Sequence, residues 1–204
     1  GPQRIKIVPD GFPKILICTS EYAFALKSRE QWQSAKMICT GPLSDTVYIR
    51  TPKDSNTLFC INLQPWALVC CLGAMRPITH DSILVRSPVA NPFFNGITTF
   101  FEKKRTFMEQ TTFIESLIDQ VNSRGNRTSK LKYQEVIEKL IKSRGAVSLG
   151  ALQSQLQLHR RTIELYFQEH IGITPKLFTR ILRFYYAIEL TLNQHDWSDI
   201  VYLA

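Results

Sequence analysis

The apolar residues of this 204-residue chain change their spacing once, near the proline-containing stretch from Ser87 to Pro92, and that change limits the fold more than any bulk figure does. Ahead of it the pattern is short runs separated by turn chemistry. Arg4 to Val8 alternates, Pro9-Asp10-Gly11 signals a turn, and Lys14 to Thr19 is β-branched and apolar. Met37 to Cys39, Thr46 to Arg50 and Thr57 to Leu63 follow, with Gly41-Pro42 and Thr51-Pro52 between them. These runs predict an antiparallel, mostly β layer. Pro65 to Leu72 differs: a proline in the first turn followed by Trp66, Ala67, Leu68 and Val69 predicts a short buried helix.

Beyond Pro92 the spacing is helical. Phe113, Ile114, Leu117, Ile118 and Val121 share one face. That face either covers the sheet, the favoured reading, or pairs with its copy in a dimer. Ser123 to Thr128 is the most loop-like polar stretch, so a boundary is expected there, giving an N-terminal unit over 1–125 and a second unit over 126–204. In the second unit Tyr133, Val136, Ile137, Leu140 and Ile141 form a stripe ended by Ser143-Arg144-Gly145. Ser148 caps a short helix bearing Leu149, Leu152 and Leu156. After Gln157-Leu158-His159 comes a second short helix from Arg160, closed by Gly172, and Thr174-Pro175 opens a long helix with Phe178, Ile181, Leu182 and Tyr185 on one side. A further helix is expected over Asp199 to Ala204.

With 44% hydrophobic and 11% aromatic residues the chain can bury one substantial core or two small ones. No apolar run approaches the ~18 residues of a membrane span. Gly1-Pro2 reads as the remnant of a cleaved tag, and no signal peptide follows it, so a soluble, cytoplasmic protein without a membrane partner is expected. Cys18, Cys39, Cys60, Cys70 and Cys71 are odd in number and lack CxxC spacing, which predicts buried free thiols; a redox or metal sensor at Cys70 and Cys71 is the alternative. There is no phosphate-binding glycine loop, nucleophile elbow or HExxH, and His80, His159, His170 and His195 lack ligand spacing. No enzyme, catalytic residue, metal or cofactor is therefore expected.

The net charge of +8 is unevenly spread. Residues 126–183 hold eleven Lys or Arg against four Asp or Glu, so a polyanion is the natural partner of this segment, although a basic surface is also a common solubility device. Two short helices joined by a turn of about three residues, the second one basic, have the outline of a helix-turn-helix. On the second helix Ile163, Phe167 and His170 project to one side, with Tyr166 at the edge. Arg161, Leu165 and Gln168 lie opposite, flanked by Glu164. Such a helix packs by one face and offers the other to a major groove, or simply to solvent.

The run Val147-Ser148-Leu149, Leu156-Gln157-Leu158, Arg161-Thr162-Ile163, Phe167, Ile171-Gly172-Ile173-Thr174-Pro175 and Arg180-Ile181-Leu182-Arg183-Phe184 with Ala187 resembles the first helix-turn-helix and linker helix of AraC/XylS-family transcriptional regulators. Trp197 to Ala204 looks like the opening helix of that module's second helix-turn-helix, whose recognition helix is then expected beyond Ala204. The resemblance spans roughly residues 130–204. It implies an α+β protein: a mixed, mostly antiparallel β domain with covering helices, then an all-α helix-turn-helix domain. It also implies a bacterial, sequence-specific regulator of double-stranded DNA. Arg161, Glu164 and Leu165 would read bases, through guanine, a cytosine amino group and a thymine methyl respectively. His159, Arg160, Thr162, Gln168, Lys176, Arg180 and Arg183 would touch the backbone, the last two with structural ion pairs as their other reading. The chain departs from the family pattern at Gln153, where a small residue is usual, at Gln157 for the turn glycine, at His159 for the Ser or Thr cap, and at Leu165 for a frequent arginine.

Ile7 to Gly11, Thr40-Gly41-Pro42 and Phe59 to Pro65 leading into Trp66-Ala67-Leu68 more faintly resemble the sensor-like domain that precedes the module in some of these proteins. That implies an effector, small molecule or protein, along with RNA polymerase and a second copy of the chain as partners. Trp32, Tyr48, Trp66 and Arg76 are the candidate pocket residues, with plain core packing as the alternative for the aromatics. The competing function is a protein-binding regulator that has lost direct DNA readout.

Overall fold

Strand formation in the first half of the chain centres on residues 14–18, KILIC, where every side chain is buried and the run lacks the alternation of a half-solvated strand. In this computed structural model, which describes residues 3–18, 24–28, 31–51, 58–72, 83–85, 92–103, 105–123 and 131–193, the elements in order are β1 (Gln3–Ile7), β2 (Lys14–Cys18), β3 (Phe24–Ser28), β4 (Gln31–Ala35), β5 (Met37–Thr40), β6 (Val47–Thr51), β7 (Leu58–Asn62), α1 (Ala67–Leu72), β8 (Ile83–Val85), α2 (Pro92–Phe101), α3 (Phe107–Ser123), α4 (Leu131–Lys142), α5 (Leu149–Leu156), α6 (Arg160–His170) and α7 (Pro175–Leu192). The fold class is α+β. Two four-stranded antiparallel sheets form, in the orders β1-β6-β3-β4 and β7-β2-β5-β8.

The burial of β2 follows from its place in three layers. Leu16 and Cys18 meet Ile38, Val47 and Ile49 between the two sheets. Ile15 and Ile17 point the other way, with Met37, Cys39 and Ile61, onto Leu68 of α1, Phe93, Phe94, Ile97 and Phe101 of α2, and Ile114 of α3. A strand covered on both faces reads as a continuous apolar run. Helix α3 thus covers the sheet, and Phe100 stacks on Phe113 at 3.9 Å to tie α2 to it. Cys18, Cys39 and Cys71 are buried thiols, whereas Cys60, on the edge strand β7, is exposed, contrary to the expectation for that residue. Burial pushes the Cys39 thiol far above the ordinary range, and the neighbouring Cys71 adds to the shift, which leaves it chemically inert. The side chain of Cys70 lies outside the described residues.

The second half has its own core: Val136, Ile137 and Leu140 of α4, Leu152 of α5, Ile163, Tyr166 and Phe167 of α6, and Phe178, Ile181 and Leu182 of α7. Helix α4 stops at Arg144 and Gly145, both left-handed at φ 53° and 79°, where the Gly145 N–H donates to the Leu140 carbonyl at 2.8 Å. Arg183 Nε donates to the Gly145 carbonyl at 2.7 Å, and the Arg144 guanidinium lies 4.0 Å from the Tyr186 ring centre. The expected break over Ser123 to Thr128 falls almost entirely outside the described residues, as does the helix expected over Asp199 to Ala204.

The two halves touch. Trp66 packs on the helical core, and the turn after β1 lies against α7. Gly11, at φ 84°, sits where a Cβ would be 2.9 Å from the Phe178 ring and 3.7 Å from Leu182. Its neighbour Asp10 pairs with Lys14, which is only 6% exposed and also donates to Asn62 Oδ1 at 3.0 Å. The carboxylate compensates the charge of the buried ammonium, and with the amide it accepts from two of its three N–H donors.

Candidate nucleic-acid interface

Helices α5 and α6 are joined by Gln157, Leu158 and His159. Ser148 caps α5 by accepting from the Ala151 N–H at 3.1 Å. Gln157 ends it in the left-handed region at φ 53°, and the N–H groups of Gln157 and Leu158 both return to the Gln153 carbonyl. The turn that a glycine usually makes is therefore made by a glutamine, against the steric cost of a Cβ in that conformation. His159 stands at the N-cap of α6 without a side-chain capping bond. Gln157→Gly should raise stability by about 0.5–1 kcal/mol, the relief of left-handed strain being partly offset by a freer unfolded chain. Urea denaturation checks this, and unchanged or lower stability would mean the αL turn carries no strain.

One face of α6 is locked into the core. Ile163 and Phe167 are 2% and 0% exposed, and Tyr166 stacks between Tyr133 of α4 at 4.6 Å and His170 at 4.3 Å. The opposite face, Arg161, Thr162, Glu164, Leu165 and Gln168, is exposed, as are His159 and Arg160 beside it. Leu165 is 49% exposed, an apolar side chain set among polar and charged ones. Arg160 Nε donates to Glu164 Oε1 at 2.8 Å, so the carboxylate expected to accept from a cytosine is engaged within its own helix. At this exposure the pair contributes well under ~1 kcal/mol and yields readily to another partner.

The face is one wall of a groove of about 530 Å³. Arg160, Arg161, Glu164, Leu165 and Gln168 form that wall; Leu149 of α5 and Thr174, Pro175 and Lys176 at the start of α7 complete it. The structure thus brings Lys176 to the same groove as the α6 residues. Arg180 and Arg183 are exposed further along α7, the latter with its Nε committed to Gly145. Leu149, Thr174 and Pro175 were not anticipated. No local signal marked them, because the starts of α5 and α7 meet the α6 face only through tertiary packing.

Of the four candidates for an N-terminal pocket, only Tyr48 and Trp66 have described side chains, and these two lie in different parts of the fold. Tyr48 lies on the outer face of the β1-β6-β3-β4 sheet, 39% exposed, between buried Val47 and Ile49. Trp66 packs half-buried on the helical core. Trp32 is in β4, with only its backbone described, and Arg76 lies outside the described residues. Among the described residues no group of three or more His, Cys, Asp or Glu could hold a metal, and no helix is long and apolar enough to cross a membrane.

The described residues define an α+β protein that presents an exposed helix-turn-helix face. No protein-family model matches the chain, and no curated protein matches it. Among solved structures it is similar to ToxT from Vibrio cholerae. A 1.65 Å structure of ToxT is 12% identical, over 99% of this chain and 87% of that one, with a TM-score of 0.49. Apo ToxT from strain SCE256 is 12% identical, over 93% and 78%, with a TM-score of 0.48. ToxT from strain O395 bound to (E)-4-(8-methylnaphthalen-1-yl)but-3-enoic acid is 13% identical, over 99% and 88%, with a TM-score of 0.48.

Proposed function

We infer that the protein is a cytoplasmic, sequence-specific DNA-binding transcriptional regulator of the AraC/XylS type, without enzymatic activity, whose α6 enters the major groove of double-stranded DNA. The carrying observation is the division of α6 into a face fully committed to the core and a face left open in a groove with Lys176. In this reading Arg161 and Leu165 meet base edges, and Glu164 does so once DNA phosphate draws Arg160 away. His159, Arg160, Thr162, Gln168, Lys176, Arg180 and Arg183 hold the backbone. The unit over 1–125 acts as the sensor and dimerisation domain, answering to a small-molecule or protein effector, and RNA polymerase is the downstream partner. The packing of Gly11 on Phe178 and of Trp66 on the helical core supports coupling between the two halves.

Arg161→Ala should cost about 1–3 kcal/mol on the preferred duplex and relax preference at one base pair, whereas Lys176→Ala should weaken all sequences alike and lower the slope of log K against log salt by about 1. Fluorescence anisotropy on selected and random duplexes separates the two. Equal losses on both duplexes for Arg161→Ala would remove it from the base-reading set and favour a protein-binding regulator.

A further inference from the structure

The outer face of the β1-β6-β3-β4 sheet carries a pattern that the proposed DNA-binding groove does not use. Strand alternation sends Ile5, Ile7, Val47 and Ile49 toward the core and leaves Arg4, Lys6, Tyr48 and Arg50 on the other side. Register aligns them into cross-strand rows. Lys6 pairs with Tyr48 and Arg4 with Arg50, so a cation stands beside the tyrosine across the first two strands. Residues directly opposite on antiparallel strands share a face, at a strand spacing of about 4.8 Å.

None of the four strands contains an Asp or Glu. Lysines on an outer strand often serve to block edge-to-edge pairing. That accounts for Arg4 and Lys6 in β1 but not for Tyr48 and Arg50, which are in the central strand β6. An exposed tyrosine beside cations on a four-stranded sheet fits a partner that offers both negative charge and unpaired planar rings. A duplex presents phosphates but keeps its bases stacked, and an acidic peptide or anionic membrane presents charge without rings.

We propose that this sheet face binds single-stranded nucleic acid, with Tyr48 as a stacking platform for a base and the exposed Arg4 and Lys6 as contacts to the phosphodiester backbone. Residues i and i+2 of a strand, such as Arg4 and Lys6, are about 6.8 Å apart, a spacing that lets them reach successive phosphates of an extended strand. The site is separate from α6 and stands or falls independently of the duplex reading.

The test is anisotropy of a fluorescein-labelled oligothymidylate of about 20 nucleotides, longer than the ~4–16 that small single-strand-binding folds cover. The full chain should bind it. Tyr48→Ala should weaken binding at least ~5-fold, from the loss of one stacked base, while Tyr48→Phe, which keeps the ring, retains it. Lys6→Glu should weaken binding and flatten the salt slope by about 0.7 or more. Binding of a random-sequence duplex should be unchanged by Tyr48→Ala. The proposal is overturned if the chain does not bind oligothymidylate, or if Tyr48→Ala leaves that affinity intact. It is also overturned if polyglutamate or vesicles of anionic phospholipid bind with the same dependence on Tyr48 and Lys6.

Discussion

Phe178→Ala should remove about 3–5 kcal/mol of stability, the range for deleting a fully buried phenyl ring without collapse of the space it leaves. Phe178 is 0% exposed and meets Phe167 edge to face, with centroids 5.7 Å apart. Collapse over the gap is limited, because Phe167 on α6 and Ile181 and Leu182 one turn on in α7 are themselves buried in the same core. The ring also supports Gly11 from the other half of the chain, so its loss undercuts both the helical core and the contact between halves. Total stabilities of natural domains lie at about 5–15 kcal/mol, which makes the variant marginal. Urea denaturation of Phe178→Ala beside Phe184→Ala, whose ring is 51% exposed, checks this. A difference below ~1 kcal/mol between the two would show that the core is not packed as described.

Gly145→Val should cost about 3 kcal/mol or more, by a different route. The left-handed φ of 79° alone penalises an L side chain by roughly 1–2 kcal/mol, more for a β-branched one. A Cβ here would lie 2.7 Å from the Thr179 carbonyl oxygen, which is backbone in the middle of α7 and cannot swing aside, and 3.0 Å from Arg183 Cγ. Forcing the two helices apart adds about 1–3 kcal/mol and breaks the bond from Arg183 Nε to the Gly145 carbonyl. Gly150, on exposed α5, is the control: a Cβ there meets nothing within 4 Å, so Gly150→Ala should gain up to ~1 kcal/mol from helix propensity. Equal thermal midpoints for Gly145→Val and the unaltered chain would refute the close approach of α4 and α7.

The helical half was legible because its signals are local. The stripe on α4, the caps Ser148 and Thr174, the stop at Gly145 and the Pro175 start each act within one or two turns, and the structure has each in place. The first half was legible only where a strand is buried on both faces, as β2 is, or alternates strongly, as β1 does. Strands β3 and β4 escaped notice because FALKS and QWQSA mix small and polar residues, and pairing with β6 places them more than their own propensity does. Cys60 was misjudged because apolar neighbours in sequence say nothing about an edge position.

At the candidate interface, the outward residues of α6 followed from helical period alone. The Arg160 to Glu164 pair is a rotamer choice and Lys176 joins the groove through tertiary packing, so neither could be read from spacing. The N-terminal pocket was a grouping by residue type. Tyr48 and Trp66 belong to different layers, and it is register, not composition, that sets Tyr48 beside Lys6.

Sequence readout by the open face of α6 is the property on which the proposed function turns. Its most direct test is selection of bound duplexes from a randomised library at moderate salt, with sequencing of the bound fraction for the unaltered chain and for Arg161→Ala. An enriched motif whose preference relaxes at one position in Arg161→Ala is the predicted result. Salt-sensitive binding with no enrichment, or an enriched motif indifferent to Arg161, would contradict it.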